Sequence, residues 1–178
     1  MRLATKRFGL CLVSATLGCV VVTASAAEQT GSLCKASEMT YFSCSTGTKL
    51  VSLCASARMT DSTAVLQYRF GKRSGEVELA YPSDASKPQD VFKAYTYSFA
   101  KGGVSAIGFK IGKFPYSLFE TRSVYGYNGA GVTVSKNGGE PKIIECVSLP
   151  SSPSEFYYEL GEWKLSEDAS LHFIGPEQ

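Results

Sequence analysis

Between Glu38 and Val147, apolar and polar positions alternate in short runs, and no stretch keeps a 3.6-residue apolar period for three turns. Alternation rich in aromatic and β-branched side chains marks strands with one face on a core. It predicts strands over 39–45, 49–56, 65–70, 77–81, 94–99, 104–111, 115–121, 131–135 and 142–147. Turn signals separate them: Gly47, the run Gly71-Lys72-Arg73-Ser74-Gly75, Gly102-Gly103, Gly112-Lys113 and Asn137-Gly138-Gly139. Two hairpins are clearest, "VLQYRFGKRSGEVELAY" and "GVTVSKNGGEPKIIECV". Short strands with tight returns avoid exposed edges by closing or by packing as two sheets. The expected fold is therefore all-β, an antiparallel barrel or sandwich of about eight or nine strands.

Two segments leave this pattern. Residues 82–90, "PSDASKPQD", read as a polar loop long enough to cross one end of the sheet. Residues 151–178 carry Ser154 at a helix N-cap position, followed by Tyr157, Tyr158 and Trp163. They read as a short helix or, the favoured expectation, a docked tail held by its aromatics.

The amino terminus reads as a leader. Arg2, Lys6 and Arg7 precede an apolar run from Phe8 to Val22, and Ala24-Ser25-Ala26 supplies small residues for cleavage. That run falls short of the roughly 20 apolar residues a membrane span requires. Cys19 raises lipidation, but valines follow it where a polar tether would begin. The expected organisation is a signal peptide over 1–26, a β domain over 27–150 and a C-terminal tail over 151–178, in the periplasm or secreted. Three of the 18 basic residues belong to the leader, so the formal charge of +2 falls to about −1 in the remainder. Without concentrated positive charge to neutralise phosphates, nucleic acid is not an expected partner.

Cys34, Cys44, Cys54 and Cys146 remain. Gaps of 10, 10 and 92 residues do not fit the close pairs of a structural zinc site. An even number in a small exported domain reads instead as two disulfides, with three connectivities open. A bond from Cys44 in the first strand to Cys146 in the last closes a loop of about 100 residues and constrains the unfolded chain by about 4.7 kcal/mol. This favours Cys44 with Cys146 and Cys34 with Cys54.

Catalytic chemistry finds few residues. His172 is the only histidine and lies near the carboxyl end, which removes the usual general base. "YGYNGAGV" lacks the lysine and hydroxyl of a phosphate loop and precedes a strand. Lys72 and Arg73 read as a solvated hairpin tip. Glu76 and Glu78 share a strand face, as glycosidase acids can, but alternate with Val77 and Leu79, which read as the core face. They are expected to point to water. Asp84, Asp90, Glu120, Glu140 and Glu145 are scattered. No cofactor and no metal is expected.

Aromatic content stands out, with ten Tyr and ten Phe. Most are expected in the core. Along "KFPYSLFETRSVYGYNG", however, aromatics meet cations beside a glycine-bearing loop, and Tyr and Arg are the residues that anchor protein interfaces. Lys113, Tyr116, Arg122, Tyr125 and Tyr127 are the candidate partner-binding residues.

The leader, a first strand ending "YFSC", the hairpins and a last strand "IIECVSL" resemble the MliC/PliC family of periplasmic inhibitors of c-type lysozyme. The resemblance covers about 105 residues. It implies a small antiparallel barrel, a bond between Cys44 and Cys146, and an envelope or extracellular partner such as a lysozyme-like hydrolase. "VSAIGFKIGKFPYSLF" is loosely similar to the region holding that family's Ser-Gly-x-x-Tyr motif, with Ile107 at the serine and Ile111 at the tyrosine. The expected function is non-catalytic binding. The alternatives are an envelope hydrolase using carboxylates and a carrier of a small apolar ligand.

Overall fold

The computed structural model describes residues 31–136, 139–147, 149 and 153–171. The expected leader with Cys11 and Cys19, and His172, lie outside the described residues. Nine strands form where alternation predicted them: β1 (Met39–Ser45), β2 (Lys49–Ala55), β3 (Leu66–Lys72), β4 (Val77–Tyr81), β5 (Lys93–Phe99), β6 (Gly102–Ile111), β7 (Phe114–Ser123), β8 (Gly129–Val134) and β9 (Lys142–Glu145). They make two antiparallel sheets in chain order, β1-β2-β3-β4 and β5-β6-β7-β8-β9. A two-residue strand, β10 (Ser166–Glu167), adds in parallel beside β5. The sheets do not close on one another, so of the two expected architectures this is the sandwich. The chain passes from one sheet to the other through the polar segment 82–90, which runs into the short helix α1 (Pro88–Val91). The outer strands β1 and β9 are fastened covalently by the Cys44–Cys146 disulfide, and Val147 N–H donates to Ser45 O at 2.8 Å beside it.

Inward-facing side chains from both sheets fill the interior. Ile107, Leu118 and Val132 stand in register across β6, β7 and β8, all essentially inaccessible. Phe109 is an aromatic hub, its ring centroid 4.9 Å from Tyr68, 5.2 Å from Tyr116, 5.5 Å from Phe92 and 5.6 Å from Tyr81. Rings at these separations add to the burial of their area through edge and offset contacts.

From Leu50 onward, β2 is buried on both faces, which an alternating strand on a two-layer core would not be. The cause is the segment 31–38, which crosses its outer face. Leu33 N–H donates to Ser52 Oγ at 2.9 Å, Cys34 bonds to Cys54, and Arg69 on β3 grips Glu38. The shorter disulfide thus ties on a covering strap.

Of the two expectations for the C-terminal segment, the short helix is the one that forms, and its aromatics dock it. Helix α2 (Glu155–Glu159) continues into a 3-10 turn, Leu160–Trp163, and ends at Lys164 with φ 54°. Phe156, Leu160 and Trp163 follow an i, i+4, i+7 spacing, so one face of this short helix is apolar. All three are buried in the main core, Trp163 edge-on to Tyr41 at 4.6 Å and Phe156 edge-on to Phe42 at 5.7 Å.

One strand face departs from expectation. Val77, read as a core residue, is 42% exposed. A bulge between Phe70 and Gly71 shifts the β3–β4 register, and such an insertion re-aims the residues beside it. Gly71 fits there because a Cβ would stand 2.1 Å from Glu76 O. Leu79 still packs on the core. Glu76 and Glu78 point to water and pair with Lys72 and Lys49.

Candidate binding loop

The connection between β7 and β8, residues 124–128, is held from within and from below. Ser123 Oγ accepts from the N–H groups of Tyr125 (3.2 Å) and Gly126 (2.9 Å). Asn128 closes the loop as an Asx bridge: its Oδ1 accepts from Ser123 N–H at 2.9 Å, and its Nδ2 donates to Ser123 O. Val124 N–H donates to Lys101 O at 3.0 Å, which bolts the loop to the neighbouring β5–β6 hairpin, where Lys101 adopts φ 64°. With most of its turn amides bonded locally, the loop loses little freedom on meeting a partner.

Its tip carries apolar surface. Val124 is 65% exposed and Tyr125 80% exposed. Lys101 Nζ donates to Tyr125 Oη at 2.9 Å and stands 4.9 Å from the ring centroid, which fixes the ring's direction while leaving its face open. Tyr127 does the reverse. Its ring lies across Gly129, where a Cβ would stand 1.9 Å from the phenol oxygen, and its hydroxyl donates to Glu145 Oε1 at 2.8 Å. Burial, reinforced by the Glu145 carboxylate, pushes the Tyr127 phenol above the usual tyrosine range. Tyr127 is thus the loop's footing and Tyr125 its exposed end.

The five candidate residues do not form one patch. Lys113 sits in the exposed β6–β7 turn, at the far end of β7 from the loop. Ten residues of strand separate them by roughly 30 Å. Tyr116, near Lys113, is half-buried and stacked on Phe109. Arg122 lies near the loop, but its Nε donates at 2.8 Å to Glu120, whose side chain is 1% exposed. The structure therefore brings together Tyr125 and Tyr127, with Val124 and Lys101 as neighbours that sequence reading passed over. Lys101 carries no signal beyond lying in a two-residue return. Ile107, Gly108 and Ile111, at the positions similar to the inhibitor motif, lie in β6; Ile107 is fully buried and Gly108 packs under Leu171.

One buried carboxylate, Glu120, and one half-buried, Glu38, also escaped the sequence reading as organised groups. Glu120 accepts from Arg122 and from Ser154 at the start of α2, through both N–H (3.2 and 3.3 Å) and Oγ. It therefore holds Ser154, the N-cap residue of α2, and docks the helix. Glu38 accepts two bonds from Arg69 at 2.6 and 2.7 Å, while Arg69 also donates to Leu33 O and Gln67 Oε1. The Arg69 hydrogen bonds hold the Glu38 carboxyl below its ordinary range. Both clusters connect elements and present no open carboxylate. Among the described residues no helix is long and apolar enough to cross a membrane.

No protein-family model, curated protein or solved structure matches the chain.

Proposed function

We propose that this is an exported binding protein that presents the loop 124–128 to a cleft on an envelope or extracellular protein. The observation that carries this reading is a pre-ordered loop that exposes two large side chains, Val124 and Tyr125. Val124 and Tyr125 stand out from a frame held by Ser123, Asn128 and Lys101. An amphipathic ring on a stiff base buries area at low entropic cost, which is how interface anchors work. The two disulfides fit an oxidising compartment. The resemblance to lysozyme inhibitors makes a wall-acting hydrolase the first partner to test, with occlusion of its cleft as the mechanism.

The test adds the oxidised protein to c-type lysozyme acting on a cell-wall suspension. Slower clearing that reverses when Tyr125→Ala replaces the native protein supports the reading. Unchanged clearing at a hundredfold excess by protein that also fails to retain any wall hydrolase from periplasmic extract defeats it.

A further inference from the structure

A second surface, independent of the loop, lies along the outer margin of β5. Hydrogen-bonding direction alternates along a strand. Asp168 N–H donates to Ala94 O at 2.9 Å, so Ala94, Thr96 and Ser98 turn their N–H and C=O groups outward, while Lys93, Tyr95, Tyr97 and Phe99 turn theirs to β6. The chain's own β10 takes the first part of this margin, pairing with Lys93 and Ala94. Beyond Ala94, among the described residues, no strand pairs with it, and Thr96, Tyr97 and Ser98 are exposed.

A groove follows the same line. A cleft of about 200 Å³ between Thr96, Ser98, Tyr157 and Tyr158 continues past Thr96 and Gly161 into one of about 160 Å³ against Leu160 and Leu165. Natural edges are guarded by charge, proline or bulges. The β4 margin has such guards, in Glu76, Glu78 and the bulge at Gly71. From Tyr95 to Phe99, β5 has neither charge nor proline, and its register with β6 is regular.

We infer that residues 96–98 of β5 are a docking edge for an extended, uncharged strand of a partner polypeptide, which pairs with Thr96 and Ser98 and lays alternate side chains in the groove beside Tyr158. The segment that forms β10 is itself an extended strand on this margin, so the groove accepts a single chain in line with it. A second copy of this protein fits poorly. Antiparallel self-pairing about Tyr97 would run the other copy's residues 100 and 101 onto Lys93 and Ala94, which β10 already holds.

The test uses the oxidised, 15N-labelled protein and a capped, uncharged peptide of sequence Thr-Val-Thr-Val-Thr, beside the same peptide N-methylated at its three central residues. The peptide is expected to slow exchange of the Thr96 and Ser98 amides by about tenfold or more. The methylated peptide should leave them unchanged. Thr96→Pro and Ser98→Pro should each remove the effect without exposing the Tyr95 and Tyr97 amides, since proline is tolerated where a strand N–H faces outward. No slowing at millimolar peptide, or equal slowing by the methylated peptide, overturns the inference. So does slowing that rises with protein concentration alone, which would assign the edge to a second copy.

Discussion

Glu38 and Tyr125 show how differently single side chains serve this molecule. Glu38 is 14% exposed and Arg69 8%, and their paired bonds stitch the segment 31–38 to β3. Because Arg69 lowers the native pKa of Glu38 from an ordinary 4.5, the pair's contribution is fully present above about pH 4.5 and fades as pH falls through the depressed native value. Urea unfolding between pH 7 and pH 3 should show this acid-side loss, and Arg69→Ala should flatten it while costing about 1.5–3 kcal/mol at pH 7, as loss of hydrogen bonds to a charged group does. Equal acid sensitivity in native protein and Arg69→Ala would refute that role. Arg122→Ala should also destabilise, since it removes a donor from buried Glu120. Tyr125→Ala, by contrast, should change stability by no more than about 0.5 kcal/mol, as at other surface sites, while weakening partner capture. The exposure of Tyr125 was within reach of sequence, because it sits between a strand and Gly126. The burial of Glu120 and the pairing of Glu38 were not, because nothing local distinguishes a solvated acid from one whose partner arrives from 31 or 34 residues away.

At the scale of elements, strands were the most legible level. Period-two alternation, broken by glycine, located all nine of them and both hairpins, because each strand meets one core and one solvent face. Where a second layer covers the outer face, as on β2, alternation in burial is lost although alternation in direction persists. Helix α2 was harder to read. Three apolar positions over two turns are too few to establish a period, and its stability comes from docking. Trp163→Ala should therefore cost about 3–5 kcal/mol, as large-to-small changes in a core do, and truncation after Leu149 should abolish a single cooperative unfolding transition. Calorimetry of both variants decides this. Near-native melting of the truncated chain would mean that α2 is an appendage.

For the whole molecule, the decisive connections are covalent and remote. The Cys44–Cys146 bond spans 102 residues and joins the outer strands of the two sheets, whereas Cys34–Cys54 spans 20 and fastens one strap. In the chain-entropy model the longer loop contributes about 4.7 kcal/mol and the shorter about 3. Replacing Cys44 and Cys146 by alanine should lower the midpoint of thermal unfolding more than replacing Cys34 and Cys54, at about 2–4 °C per kcal/mol for a domain of this size. The reverse order would show that the strap, and not the clasp between sheets, limits stability.

The sequence alone determined an antiparallel β chain with paired cysteines and an aromatic core, because strand periodicity, turn chemistry and thiol pairing are written in neighbouring residues or simple counts. Only the tertiary structure decided that the sheets stay open as a sandwich, which carboxylates are buried, that Arg122 turns inward while Tyr125 turns out, and which strand margin is left unguarded. Each of these depends on where a distant segment packs: the strap over β2, α2 over Glu120, β10 along β5. Local pattern sets which way a side chain points; what meets it there is fixed by contacts far apart in the chain.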